Sequence, residues 1–214
     1  MKLKYKKVGG AITIVGCDPN TTGELIIPDK IDGLPVTSIA QGAFSYFTSL
    51  TSVNLPSSLV SIAAAAFLGC SGLMSVNLPS SLASIGNEAF YGCSGLTSVT
   101  LPISLTSIGA EAFSSCRSLA SVTFPSSLTF VGDDAFSWCT SLTSVALPSS
   151  LTSIGGYSFF GCSGLTSVTL PSNLTSIGDY AFYWCSGLTS VTIPSSVTFI
   201  GRQAFGSKEN EEIV

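Results

Sequence analysis

The sequence predicts a right-handed solenoid, mostly β, with one short helical turn in each 23-residue repeat. Three observations predict it. Phe44, Phe67, Phe90, Phe113, Phe136, Phe159, Phe182 and Phe205 recur at one spacing of 23. Cys70, Cys93, Cys116, Cys139, Cys162 and Cys185 each follow a Phe by three residues. Columns of Leu (50 to 188), Val (53 to 191) and Pro (56 to 194) hold the same register, with no insertion between Phe44 and Phe205. A fixed period of this length means that each unit buries its apolar face only by stacking on its neighbours.

One unit, residues 96–118, reads LTSVTLPISLTSIGAEAFSSCRS. Val99 and Leu101 alternate with the hydroxyl residues Ser98 and Thr100, the period of a strand with one face inward. Pro102 ends that strand, because it has no N–H for the next ladder bond. Leu105 and Ile108 form a second apolar stretch, expected to be an extended return on the opposite wall. Gly109 breaks it, and Ala110–Phe113 is expected to be one helical turn with its acid near the positive end. Replacing one of the repeated Phe residues by Ala should cost about 3–5 kcal/mol.

These residues carry a resemblance. L-x2-V-x-L matches the strand signature of leucine-rich repeats. The fuller pattern L-x2-I-G-x2-A-F-x2-C-x2-L-x2-V-x-L-P resembles the BspA-type leucine-rich repeat of bacterial surface proteins, also found in some protists. Ile31–Ile39 resembles the lead-in to such an array, and the likeness spans residues 25–206. It implies a leucine-rich-repeat solenoid at the cell surface or outside the cell, engaging host or neighbouring-cell proteins. Its implication for fold is specific and for function broad.

The organisation expected is a β-hairpin cap over 1–36, an array over 37–206 and a tail over 207–214. In the cap, Ala11–Val15 and Glu24–Ile27 read as strands joined by the turn-rich stretch Gly16–Gly23. Lys2, Lys4, Lys6 and Lys7 place charge on an exposed edge. After Phe205 no further L-x2-V-x-L strand follows. A cut from a longer array, or a short natural tail, is the preferred reading; end-to-end self-association through that end is the alternative.

Composition narrows the function. Forty-five per cent of residues are hydrophobic and 9% charged, while 38 Ser and 20 Thr supply the polarity. Eight basic and twelve acidic residues give net −4, which argues against a nucleic-acid surface. No apolar run approaches the roughly 18 residues of a membrane span. The start, MKLKYKKVGG, lacks the apolar core of a secretory signal.

Chemistry is sparse. There is no His, the commonest general base and neutral metal ligand. A single-file cysteine column with rungs about 4.8 Å apart cannot surround a metal tetrahedrally or bring Cβ atoms within disulfide reach. Buried, unpaired thiols filling space under the Phe column are expected, with Cys17 outside the register. Between Gly33 and Gly201 the charges are Glu88, Glu111, Arg117, Asp133, Asp134 and Asp179, and a helix-start role would explain the five acids. No facing carboxylate pair and no base to activate a serine is evident. The expectation is no enzyme, no cofactor and no metal.

What remains is surface. Two patches are candidates for partner binding. The first is the strand face, whose hydroxyl columns include Thr97, Ser98, Thr100, Thr166, Ser167, Thr169, Thr189, Ser190 and Thr192. A plain solvated sheet of β-favouring Thr explains it equally well. The second is a set of aromatic residues at positions the core does not fix: Trp138, Tyr157, Phe160, Tyr180, Tyr183 and Trp184. Such residues are typical interface anchors, although shielding of the Phe column would also account for them. The function expected is a non-catalytic binding or adhesion module with a protein or cell-surface partner. The alternatives are an ice- or surface-ordering solenoid acting through its Thr/Ser columns, and an intracellular protein scaffold in the cytoplasm.

Overall fold

The computed structural model describes residues 2–206, and the tail expected at 207–214 lies outside them. The chain opens with a hairpin. β1 (Lys4–Val8) is exposed along its whole length and pairs antiparallel with β2 (Ala11–Gly16). Gly9 and Gly10 join them, both at positive φ (54° and 79°), the demand of a tight two-residue turn. The charged outer strand is the edge protection that its lysines promised. Lys7 Nζ lies 3.1 Å from Asp32 Oδ2, and the Tyr5 hydroxyl donates to the same oxygen at 2.9 Å.

β3 (Gly23–Ile26), β4 (Lys30–Ile31), β5 (Leu34–Ile39) and β6 (Leu50–Asn54) follow. The two strands expected in the cap are present as β2 and β3, but they do not pair with each other. β2 pairs in parallel with β5, and β3 in parallel with β6. They stand on opposite walls of one rung, because Ile12 and Ile14 on one and Leu25 and Ile27 on the other must all face the same interior.

Later rungs repeat this plan. One wall carries short strands such as Ser98–Thr100 and Ser121–Thr123, paired in parallel at a register of 23. The opposite wall carries two-residue strands, Ser84–Ile85, Ser107–Ile108 and Phe130–Val131, paired the same way. The extended return expected at Leu105–Ile108 is therefore there.

The helical turn is not. Among the described residues there is no helix. Glu111 adopts φ 55° and Ser115 φ 61°, left-handed values that interrupt any right-handed helix. The N–H groups of Glu111, Phe113 and Ser115 donate to the carbonyls of Asp133, Ala135 and Ser137 one rung on, at 2.9, 2.8 and 2.8 Å. Ser114 and Cys116 close tight turns onto Glu111 and Phe113. The rung-to-rung ladder consumes the donors that a helix would have turned inward, so the third side is a stack of turns.

Inside, the phenyl rings pile up. Phe67, Phe90 and Phe113 stack at centroid spacings of 5.2 Å with planes 5–7° apart, and the column continues to Phe205. The six registered thiols are free and buried, and each donates to the carbonyl of the Phe in the preceding rung, for example Cys116 Sγ to Phe90 O at 3.2 Å. They are donors as well as fillers. Serine has a comparable duty: the second Ser of a Pro-Ser-Ser-Leu run reaches back to a backbone carbonyl of the preceding rung, as Ser58 does to Val36 at 2.9 Å, Ser81 to Leu59 at 2.6 Å and Ser127 to Leu105 at 2.7 Å.

Candidate functional site

From Gly42 to Trp184 each rung has two left-handed positions on its turn side, and Gln203 begins one more. The first is occupied by Gly42, Ala65, Glu88, Glu111, Asp134, Tyr157, Tyr180 and Gln203 in successive rungs. The second, four residues on, is Tyr46, Gly69, Gly92, Ser115, Trp138, Gly161 and Trp184. A side chain at either place costs about 1–2 kcal/mol of backbone strain relative to the right-handed region, so Gly is the undemanding choice and an aromatic residue is a costly one.

The acids are not helix starts. Asp133 Oδ1 accepts the N–H of Gly156 at 2.8 Å, and Asp179 Oδ1 accepts that of Arg202 at 2.7 Å. Asn87 does the same for Ala110 at 3.0 Å. These residues satisfy the backbone of the following rung. Glu88, Glu111 and Asp134 instead occupy the left-handed column, stacked one rung apart. Burial raises the carboxyl pKa of Glu111, and the charges of Asp134 and Glu88 raise it further. Burial also raises that of Asp134, against a lowering hydrogen bond from Ser137.

The same column continues as aromatic rings. Tyr157 and Tyr180 stack at 4.9 Å with planes 20° apart. Phe160 lies 5.6 Å from Tyr157, 5.3 Å from Trp138 and 5.3 Å from Trp184. Trp138 and Trp184 meet at 5.8 Å, and Tyr183 closes the set at 5.4 Å from Tyr180 and 5.5 Å from Trp184. All six aromatic residues singled out in the sequence thus form one connected patch. Trp138 and Tyr157 are exposed at 39% and 37%, and the other four are half-buried. The guanidinium of Arg202 sits 5.1 Å above the Tyr180 ring.

Sequence reasoning had not joined the acids and Arg202 to this patch. The signal was available, since Glu88, Glu111, Asp134, Tyr157 and Tyr180 are each 23 residues apart. The left-handed backbone that turns this column outward leaves no composition signature.

The strand-face residues are placed differently. Thr97, Ser98, Thr100, Thr166, Ser167 and Thr169 are exposed, but the hydroxyls of Thr97 and Thr166 donate to Met74 O at 3.4 Å and Thr143 O at 3.1 Å. Thr189, Ser190 and Thr192 are exposed and lie beyond the last paired strand of this wall, Ser167–Thr169. The N-terminal half of the face forms a shallow groove of about 570 Å³, lined by Glu24, Asn54, Asn77, Thr100 and Ile103 among others.

Among the described residues no cluster of His, Cys, Asp or Glu could hold a metal ion, and no helix is long and apolar enough to cross a membrane.

The profile of the BspA type leucine rich repeat region matches residues 24–143 and 129–214, in six copies. The chain belongs to this family. Membership suggests a protein-binding or adhesion-type repeat module. Among solved structures, the leucine rich repeat protein of T. pallidum is 33% identical with TM-score 0.70, over 95% of this chain and 85% of that one. A leucine-rich repeat protein of Bacteroides ovatus is 29% identical with TM-score 0.74, over 96% of this chain and 61% of that one. A leucine rich cell surface protein of Faecalibacterium prausnitzii is 28% identical with TM-score 0.65, over 95% of this chain and 50% of that one. The BspA-type chain thus spans less than two thirds of the latter two proteins. No curated protein matches it.

Proposed function

We propose that this BspA-type chain is a non-catalytic adhesion module whose aromatic flank docks on a protein partner at the cell surface. One observation carries the reading: six aromatic residues at positions the core leaves free are gathered into one patch, and four of them, Trp138, Tyr157, Tyr180 and Trp184, hold left-handed positions where Gly stands in other rungs. Strained backbone retained for large exposed side chains fits an interface better than a solvated wall. The family of bacterial surface proteins and the similarity to a cell surface protein of Faecalibacterium prausnitzii support the location. Against catalysis stand the absence of His in the sequence and the use of Asp133 and Asp179 as backbone acceptors.

The test is retention of fluorescently labelled full chain on intact epithelial and bacterial cells. The Tyr180→Ala/Tyr183→Ala/Trp184→Ala variant should lose retention while melting as a cooperative β protein. Equal retention by a folded variant would remove the flank from the reading.

A further inference from the structure

The flank has two halves, and both point to the same ligand chemistry. The left-handed column presents Glu88, Glu111 and Asp134 in three consecutive rungs and then Tyr157 and Tyr180 in the next two. Carboxylates beside aromatic faces are the two groups that a guanidinium engages: the first through charge-assisted hydrogen bonds, the second by stacking over the ring quadrupole. The molecule holds an example of the second contact, since Arg202 lies 5.1 Å over the Tyr180 ring at the end of this column. Charge complementarity favours the same partner, because the stretch between Gly33 and Gly201 carries five acids and one base. Burial first, and then the charges of Asp134 and Glu88, raise the carboxyl pKa of Glu111, and an approaching cation relieves the charge repulsion.

We infer that the occupant of the turn-side flank is a basic, arginine-containing segment of a partner protein, its guanidinium groups spanning the acidic column and the adjoining tyrosines. The inference rests on the docking role proposed above and names the partner's chemistry. Alternate side chains of an extended segment share one face about 6.5–7 Å apart, while rungs are about 5 Å apart, a difference that the long arginine side chain can absorb.

The experiment uses the full chain and its own reporters. Trp138 and Trp184 are its two tryptophans, and both belong to the patch, so indole fluorescence reads the flank directly. Titration with a nona-arginine peptide should give a saturable change, and a nona-glutamate peptide should give none. Raising salt from about 0.05 to about 0.5 M should weaken the arginine response several-fold. The Glu88→Gln/Glu111→Gln/Asp134→Asn variant should bind nona-arginine about tenfold more weakly. The single Asp134→Asn variant, expected to lose about threefold, carries the test if the triple variant fails to melt cooperatively. The inference is overturned by an equal response to both peptides, by no saturable response to arginine, or by undiminished affinity in a folded acid variant. If it falls while the Tyr180/Tyr183/Trp184 variant still loses cell retention, the flank remains a docking site and its occupant is not basic.

Discussion

The indole of Trp138 lies over Gly161, the residue at the same left-handed position one rung on: a Cβ there would stand 2.8 Å from Trp138 Cε3. The gap lets Trp138 reach across a full rung to Trp184, 5.8 Å away. Tyr46 lies over Gly69 in the same way, with a would-be Cβ contact of 2.6 Å. Aromatic and glycine therefore work as a pair on this flank, one ring using the space of two rungs. Gly92 is the natural control, because its φ is also left-handed (+68°) but a Cβ would meet nothing nearer than 3.8 Å. Gly92→Ala should cost only the backbone term, about 1 kcal/mol. Gly161→Ala should cost about 2–3 kcal/mol by adding an overpacking term, and it should shift indole fluorescence. Thermal melts with fluorescence on the two variants check both parts, and equal melting temperatures would contradict the pairing.

Two adjacent serines offer a sharper contrast. Ser127 Oγ donates to Leu105 O in the preceding rung at 2.7 Å, whereas Ser126 is exposed. Ser127→Ala leaves that carbonyl short of a donor and should cost about 1 kcal/mol. Ser126→Ala should fall within about 0.5 kcal/mol of wild type. Urea titration of both variants decides it. Part of the serine content is thereby explained as stitching between rungs, as at Ser81, Ser104, Ser127 and Ser196.

Legibility followed the kind of constraint. Phe67, Phe90 and Phe113 could be placed in one stack from spacing alone, because a period of 23 with no insertion leaves nowhere else for large apolar side chains to go. The Ser-Val-Thr strands and the Ser-Ile return were legible for the same reason, through their alternation. Ala110–Phe113 misled, since Ala-Glu-Ala is a helical composition and propensity yields to a ladder that claims each second N–H for the next rung. Ala11–Val15 and Glu24–Ile27 were read correctly as strands but wrongly as partners, because periodicity gives a face and not a neighbour. At the candidate site the six aromatic residues were legible as positions outside the core pattern. Their union with Glu111, Asp134 and Arg202 depends on backbone angles that side-chain chemistry does not announce.

The cysteine column makes a kinetic prediction. Burial pushes the thiols of Cys116 and Cys162 up to about 12, and it raises Cys139 and Cys185 as well. Thiolate is the reactive form, and all seven cysteines are buried, including Cys70, whose pKa its hydrogen bond with Cys93 lowers; at pH 8 the folded chain should therefore show no fast-reacting thiol toward a disulfide reagent. All seven cysteines should react at once in denaturant. In native buffer the slow reaction should track unfolding, with a rate independent of reagent concentration at high reagent. Rapid labelling of any registered cysteine in native buffer would mean that the interior opens between rungs without global unfolding.

The acid column makes a prediction in pH. Glu111 and Asp134 are both held above the ordinary carboxylate range, mainly by burial. For an acid whose folded pKa exceeds its unfolded one, the folded state binds more protons across the window between the two values. Stability contributed by these groups therefore falls as pH rises through that window, from about 4 upward to the raised folded values, and is lowest once both are ionised. The sign is opposite to that of an ion-paired carboxylate such as Asp32, whose pKa the Lys7 ammonium and Tyr5 hydroxyl lower and whose contribution disappears on acidification. Glu111→Gln and Asp134→Asn should accordingly raise the melting temperature at pH 7 and leave it unchanged near pH 3, where the native carboxyls are protonated. Destabilisation at pH 7 by either replacement would show instead that these carboxylates make favourable contacts that outweigh their burial and mutual repulsion.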